Sequence, residues 1–128
     1  MKDNSNETQI RTLVENWAKA VREKDMDNAL AHHTDDMVMF DVPMPLQAKG
    51  MEEYKKTWEL FFDNSPGGPG SFEVMELQIT AGDTVAFAHG LLRTGGSKEP
   101  VGRLTIGLRK MRGQWLIAHE HHSYPADI

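Results

Sequence analysis

After the break "SPGGPG" at residues 65–70, the hydrophobic period becomes two and stays there nearly to the end of the chain. "FEVMELQITA", "TVAFAHGLLRT", "VGRLTIGLRKM" and "QWLIAHEHHS" alternate apolar and polar residues as half-buried strands do. Their connections, "GD", "GGSKEP" and "RG", are short enough only for antiparallel neighbours. This second half constrains the fold most. A sheet with an apolar face has to bury it, and the residues before the break are what the chain has to cover it with.

Those residues read as helices. Ile10, Leu13, Val14, Trp17 and Val21 form the i, i+3, i+4 stripe of an amphipathic helix, which Ser5 or Asn6 can cap. "KDMDNALAHHTDD" predicts a turn, a short helix from Asp27 to His33 and a stop at Asp35 and Asp36. "MVMFDV" is a short strand ended by Pro43 and Pro45. Gly50 opens "MEEYKKTWELFFDN", a third helix with Tyr54, Trp58, Phe61 and Phe62 on one face. The expectation is one α+β domain over residues 1–128, with a flexible tail at 1–6 and "SPGGPG" as a linker or a mobile lip over a pocket.

Composition removes several function classes. A net charge of −5 has the wrong sign for neutralising phosphates or docking on an anionic membrane, so neither nucleic acid nor membrane is expected as a partner. There is no Cys, which excludes disulfides and thiolate metal sites. No signal-like start and no run of about 18 apolar residues is present, so a cytoplasmic location is expected.

The last hairpin decides which residues gather with the histidines of "AHEHHS", because side chains alternate across a strand. A two-residue type I′ turn would put Arg112 at positive φ, whereas a three-residue loop, Met111-Arg112-Gly113, needs only Gly113 left-handed. The longer loop pairs Thr105 with His119 and Arg103 with His121. One face then carries Arg103, Thr105, Trp115, Ile117, His119, His121 and Ser123, and helices covering it would place those groups in a pocket. The opposite face shows Leu104, Ile106, Leu108, Leu116 and Ala118, with Glu120 and His122 toward its end. Left uncovered, it predicts a homodimer through the outer sheet face.

The element order, with "HHTDDMVMFD", "G-x-x-x-Y", "R-x-T-x-x-L-R-K" and "G-x-W-x-I-x-H-x-H-x-S-x-P", resembles the nuclear transport factor 2-like superfamily, in its SnoaL-like, ketosteroid-isomerase-related branch. The resemblance covers nearly the whole chain after residue 7. It implies a cone-shaped, strongly curved antiparallel sheet wrapped around a long first helix, also described as cystatin-like, with a pocket between sheet and helices and commonly a homodimer. Members include isomerases, dehydratases, cyclases and hydrolases as well as binding and scaffold domains, so fold does not settle function. Asp41 matches the general-base Asp of the ketosteroid isomerases. Trp17 stands where those enzymes have an oxyanion-binding Tyr, and ungapped counting puts Thr105 at their protonated Asp. Neither supplies the same donor, which argues against steroid isomerisation.

The residues leave several readings open. Asp41 or His119 is a candidate base for proton abstraction next to a carbonyl, with Arg103 and His121 stabilising the oxyanion. His119, His121 and Asp41 have the donor types of a metal site, but a cation beside Arg103 is disfavoured, so no metal and no cofactor is expected. Structural histidines satisfied by neighbours are the plainer alternative. Trp17, Tyr54, Trp58, His89 and Thr105 are candidate ligand contacts; as core residues, the aromatics need no ligand. His32, His33 and His122 are expected at the surface or an interface. The leading reading is a cofactor-independent isomerase, lyase or cyclase acting on an apolar carbonyl or carboxylate compound. A non-catalytic binder using Arg103, or a dimerisation scaffold, is the alternative.

Overall fold

The computed structural model describes residues 5–128. It is built from helix α1 (Ser5–Arg22), helix α2 (Met26–Leu30), strand β1 (His33–Phe40), strand β2 (Ala48–Lys49), helix α3 (Gly50–Asn64), and strands β3 (Phe72–Ala81), β4 (Val85–Thr94), β5 (Gly102–Met111) and β6 (Gln114–Ser123). The strands form one sheet in the order β2-β1-β6-β5-β4-β3. All pairings are antiparallel except β1 with β6, which run parallel. Ile10, Val14, Trp17 and Val21 of α1 and Tyr54 and Trp58 of α3 are buried on the inner face of this sheet, as their helical spacing predicts. The architecture is the α+β fold expected, with a curved sheet and helices on one side.

Strands β3 and β6 begin and end where the alternation predicts, and β4 and β5 each begin one residue later. The first half departs more. Asp25 caps α2, its carboxylate accepting from the Asn28 N–H, and the helix ends at Leu30. His33 is therefore not helical; it opens β1, which starts four residues before the expected "MVMFDV". The two-residue β2 has no periodic signal. Ser5 and Asn6 lie within α1, and Asn6 ties that helix to the sheet by accepting from Lys110 Nζ and Trp115 Nε1. The remainder of the expected tail, residues 1–4, lies outside the described residues. "SPGGPG" is anchored rather than a lip: the Gly68 N–H donates to the Arg22 carbonyl and that of Gly70 to Glu73. No helix among the described residues is long and apolar enough to cross a membrane.

The β5–β6 hairpin corrects the expected register. Met111 pairs with Gln114, so the loop has two residues, with Arg112 at φ 53° and Gly113 at φ 77°. Arg112 does accept the left-handed conformation that a type I′ turn demands. Five residues further on, a second irregularity intervenes. Leu108 pairs with Ile117 but Gly107 with His119, leaving Ala118 as an extra residue in a β-bulge. The bulge reverses which side chains of β6 point inward: Trp115 and Ile117 are buried before it, Glu120 and His122 after it.

Beyond the bulge Thr105 pairs with His121 and Arg103 with Ser123. Arg103, Thr105, His119, His121 and Ser123 do share a face, but it is the outer one. Leu104, Ile106 and Leu108 are buried under the helices, so three of the residues that motivated an exposed apolar patch are core, while Leu116 and Ala118 are half-buried. A homodimer through the outer face would rest on other side chains, such as Phe40 and Phe87, which are exposed there.

Left-handed backbone costs a non-Gly residue about 1–2 kcal/mol, and Asn adopts it more readily. Arg112→Asn is expected to stabilise the protein by roughly 0.5–1 kcal/mol, raising Tm by roughly 2–5 °C. Thermal unfolding followed by circular dichroism checks this, and an unchanged or lower Tm would contradict the strained-turn reading.

Candidate functional site

A cavity of about 330 Å³ opens between α3, the end of β1 and the sheet, lined by Trp58, Phe61, Phe72 and Leu92 with Asp41 at its mouth and His122 behind them. Its aromatic wall follows from the α3 stripe: Trp58 packs edge-on against Phe61 and Phe72, each at 5.6 Å between ring centroids. Gly102 shapes the rim. A Cβ there would lie 2.6 Å from the Tyr124 ring, so only glycine leaves that ring its seat beside the cavity. Tyr124 Oη lies 3.4 Å from Thr94 Oγ1, placing two hydroxyls at this edge. No Lys or Arg lines the cavity among the described residues.

Behind the cavity sits a buried polar network centred on Glu120, which is fully inaccessible. Its Oε2 accepts from Tyr54 Oη at 2.5 Å and faces His33 Nε2 at 2.9 Å, while Oε1 faces His122 Nε2 at 3.0 Å. Trp17 Nε1 donates to Tyr54 Oη at 3.1 Å. Burial works to raise the Glu120 pKa, but the hydrogen bonds from His122 and His33 and their charges outweigh it and bring the carboxyl from 4.5 down to about 2. Burial, and then the neighbouring Glu120 charge, push the Tyr54 phenol well above its ordinary value, so it remains a donor. Trp58 Nε1 is buried without a hydrogen-bond partner beside this group.

The sequence candidates divide sharply. Asp41 follows the last residue of β1 and lines the cavity mouth, its Oδ1 accepting the Val42 N–H at 2.7 Å. Trp58 lines the wall, and Tyr54 and Trp17 lie in the core behind it. His119, His121, Arg103, Thr105 and His89 are elsewhere, on the outer sheet face. His119 Nδ1 bonds the Val38 carbonyl at 2.7 Å, and both His119 and His121 meet the Phe40 ring edge-on. Arg103 is exposed and donates through Nε to Ser123 Oγ, so it holds no pocket anion. For His119 and His121 the physical reason is the bulge at Ala118, without which they would face inward with Trp115 and Ile117; His89, Arg103 and Thr105 lie outside because their strand neighbours Ala88, Leu104 and Ile106 take the inside.

Sequence reasoning missed Glu120, His33 and His122. Their signal was the strict alternation of β5, where Leu104, Ile106 and Leu108 oppose Arg103, Thr105 and Arg109; the strand's apolar side marks the inside, and Glu120 and His122 pair with it. Among the described residues no group of three or more His, Asp or Glu is arranged to hold a metal ion. A larger groove of about 520 Å³ runs along α1 and α2, but Gln9, Asn16, Lys19 and Glu23 line it as ordinary helix surface.

The SnoaL-like domain family matches residues 10–127, and the chain belongs to that family. No curated protein matches the sequence. Among solved structures, an NTF2-like protein of unknown function from Pseudomonas putida KT2440 is 37% identical with a TM-score of 0.86, over 98% of this chain and 91% of that one. A ketosteroid isomerase-like protein from Erwinia carotovora atroseptica SCRI1043 is 20% identical with a TM-score of 0.75, over 99% and 100% of the two chains. A protein of unknown function with a cystatin-like fold from Nostoc punctiforme PCC 73102 is 16% identical with a TM-score of 0.77, over 98% and 96%. The last two share the fold alone. The fold is thus nuclear transport factor 2-like and related to that of ketosteroid isomerase-like proteins.

The Glu120 carboxyl has a folded pKa of about 2 against an ordinary 4.5, so its contribution to stability is present above pH 4.5 and is lost as pH falls toward 2. Its size is on the order of 3 kcal/mol. Glu120→Gln is expected to lower unfolding free energy by about that amount at pH 7, with the gap to the unsubstituted protein narrowing by roughly half at pH 3. Urea titrations at both pH values test this; a gap independent of pH would show that the carboxylate is not held ionised.

Proposed function

We propose that this protein is a cofactor-independent enzyme of the isomerase, lyase or cyclase type, abstracting a proton next to the carbonyl of a neutral, largely apolar small molecule. One observation carries the reading: the His122 imidazole, backed by a buried carboxylate, opens onto an apolar cavity with a second carboxylate, Asp41, at its mouth. An imidazole hydrogen-bonded through one nitrogen to a carboxylate is oriented for proton transfer through the other. His122 takes the base role for which His119 was the candidate. Asp41 is placed to accept or relay the proton at the rim.

The enolate oxygen then needs donors, and the expected cation is absent from the walls. The hydroxyls of Tyr124 and Thr94 are the groups at hand. A cavity lined by Asp41 and aromatic rings, with no cation, disfavours a carboxylate or phosphate on the substrate. A flat ketone or enone suits Trp58, Phe61 and Phe72.

The test needs no natural substrate. Apolar cyclic ketones and enones are incubated with the protein in D₂O, and loss of the α-proton signal is followed by NMR. The unsubstituted protein is expected to accelerate exchange of at least one compound that binds. His122→Gln and Asp41→Asn are each expected to slow it by roughly two orders of magnitude, with fold unchanged by circular dichroism. Binding without exchange, or undiminished exchange in His122→Gln, would falsify the proposal.

A further inference from the structure

His33 offers both ring nitrogens to oxygen. Nδ1 lies 2.8 Å from the Ala31 carbonyl and 3.1 Å from that of Leu30, and Nε2 lies 2.9 Å from Glu120 Oε2. A carbonyl only accepts, so Nδ1 carries a proton. Both side chains of the His33–Glu120 contact are fully buried. Glu120 is faced by His33 from β1, by Tyr54 from α3 and by its own strand neighbour His122; its β5 partner is the apolar Ile106. With Tyr54 and His122 already placed to donate to it, the carboxylate is in the setting of an ionised group, and a proton on His33 Nε2 completes the set.

The state of Glu120 decides what His122 presents to the cavity. An ionised Glu120 can only accept, which puts a proton on His122 Nε2, and in the neutral ring this leaves Nδ1 with a lone pair. Nδ1 has no protein hydrogen-bond partner among the described residues, and the ring lines the cavity. A protonated Glu120 donating to Nε2 would move the His122 proton to Nδ1, and the ring would then offer a donor in place of a base.

We propose that His33 is a positioning residue: a buried imidazolium that keeps Glu120 ionised and thereby fixes His122 as the Nε2–H tautomer with a bare Nδ1 toward the cavity. The catalytic part of this rests on the proposed proton abstraction, whereas the protonation pattern itself stands apart from any substrate. His33→Gln keeps an N–H donor for Glu120 and removes the charge. Desolvation then acts on Glu120 with less to oppose it.

Long-range ¹H–¹⁵N correlation spectra of the ligand-free protein at neutral pH read the pattern directly. His33 is expected with both nitrogens protonated, and His122 with Nε2 alone protonated. The side-chain carboxyl ¹³C signal of Glu120 is expected to titrate at about 2 in the unsubstituted protein and at a clearly higher pH in His33→Gln, which leaves His122 as the one imidazole opposing desolvation. A bare nitrogen on His33, a proton on Nδ1 of His122, or an unmoved Glu120 titration overturns the inference. The first two are read on the unsubstituted protein, so they decide the matter even if His33→Gln does not fold. Because no substrate is present, these outcomes are independent of whether ketones exchange in the cavity.

Discussion

A carboxylate with no access to water cannot remain charged inside an apolar core unless donors are fixed around it, and the arrangement of this molecule follows from meeting that requirement at Glu120. The donors come from three elements: His33 from β1, Tyr54 from α3 and His122 from β6, with Trp17 of α1 donating to Tyr54 behind them. Removing one partner of a buried charge pair typically costs 3–5 kcal/mol, so each element is held to the others by more than apolar contact. The same requirement fixes rotamers. A network satisfied in only one geometry specifies that geometry, which is what a site for proton transfer needs.

The bulge at Ala118 is what brings the carboxylate inside. With a two-residue turn and no bulge, the partners of Leu104 and Ile106 would be His121 and His119, and Glu120 would point to the outer face. One extra residue exchanges them. It also bends β6 where the sheet must curve around α1, and a second irregularity between Met75 and Gln78 does the same for β3, with Glu76 at φ 56°. Curvature and chemistry therefore have a common origin in strand defects.

This explains what was legible in the sequence. Periodicity located the long elements, because burial on one face imposes a period that composition alone cannot hide. The family resemblance was legible too, since its motifs follow the same elements. The site was not, because a bulge leaves no mark on an alternating sequence, and a preference against left-handed Arg is only about 1–2 kcal/mol, which tertiary pairing overrides. The β5 pattern was the better guide: Arg103, Thr105 and Arg109 cannot share a core face, so Leu104, Ile106 and Leu108 had to be inside. Reading the apolar side as an intermolecular surface displaced both the dimer patch and the histidines. Asp41 escaped this error because it follows the end of a strand before Pro43, where its place at the rim does not depend on the hairpin register.

The two carboxylates of the site illustrate how environment divides roles between like groups. Asp41 is half-buried at the mouth and bonds its neighbour's backbone N–H, leaving it in contact with whatever enters. Glu120 is sealed and can act only through other side chains. The direction of the hydrogen bonds sharpens the contrast. Trp17 donates to Tyr54, Tyr54 to Glu120, and both His33 and His122 toward the same carboxylate, so every donor in the chain points inward. The Trp17 indole N–H is thus committed to Tyr54. Donors committed to one buried anion are not available to a molecule in the cavity. Tyr124 stands against Gly102 at the cavity edge with its hydroxyl 3.4 Å from that of Thr94, so the hydroxyls at this rim belong to residues outside the Glu120 network.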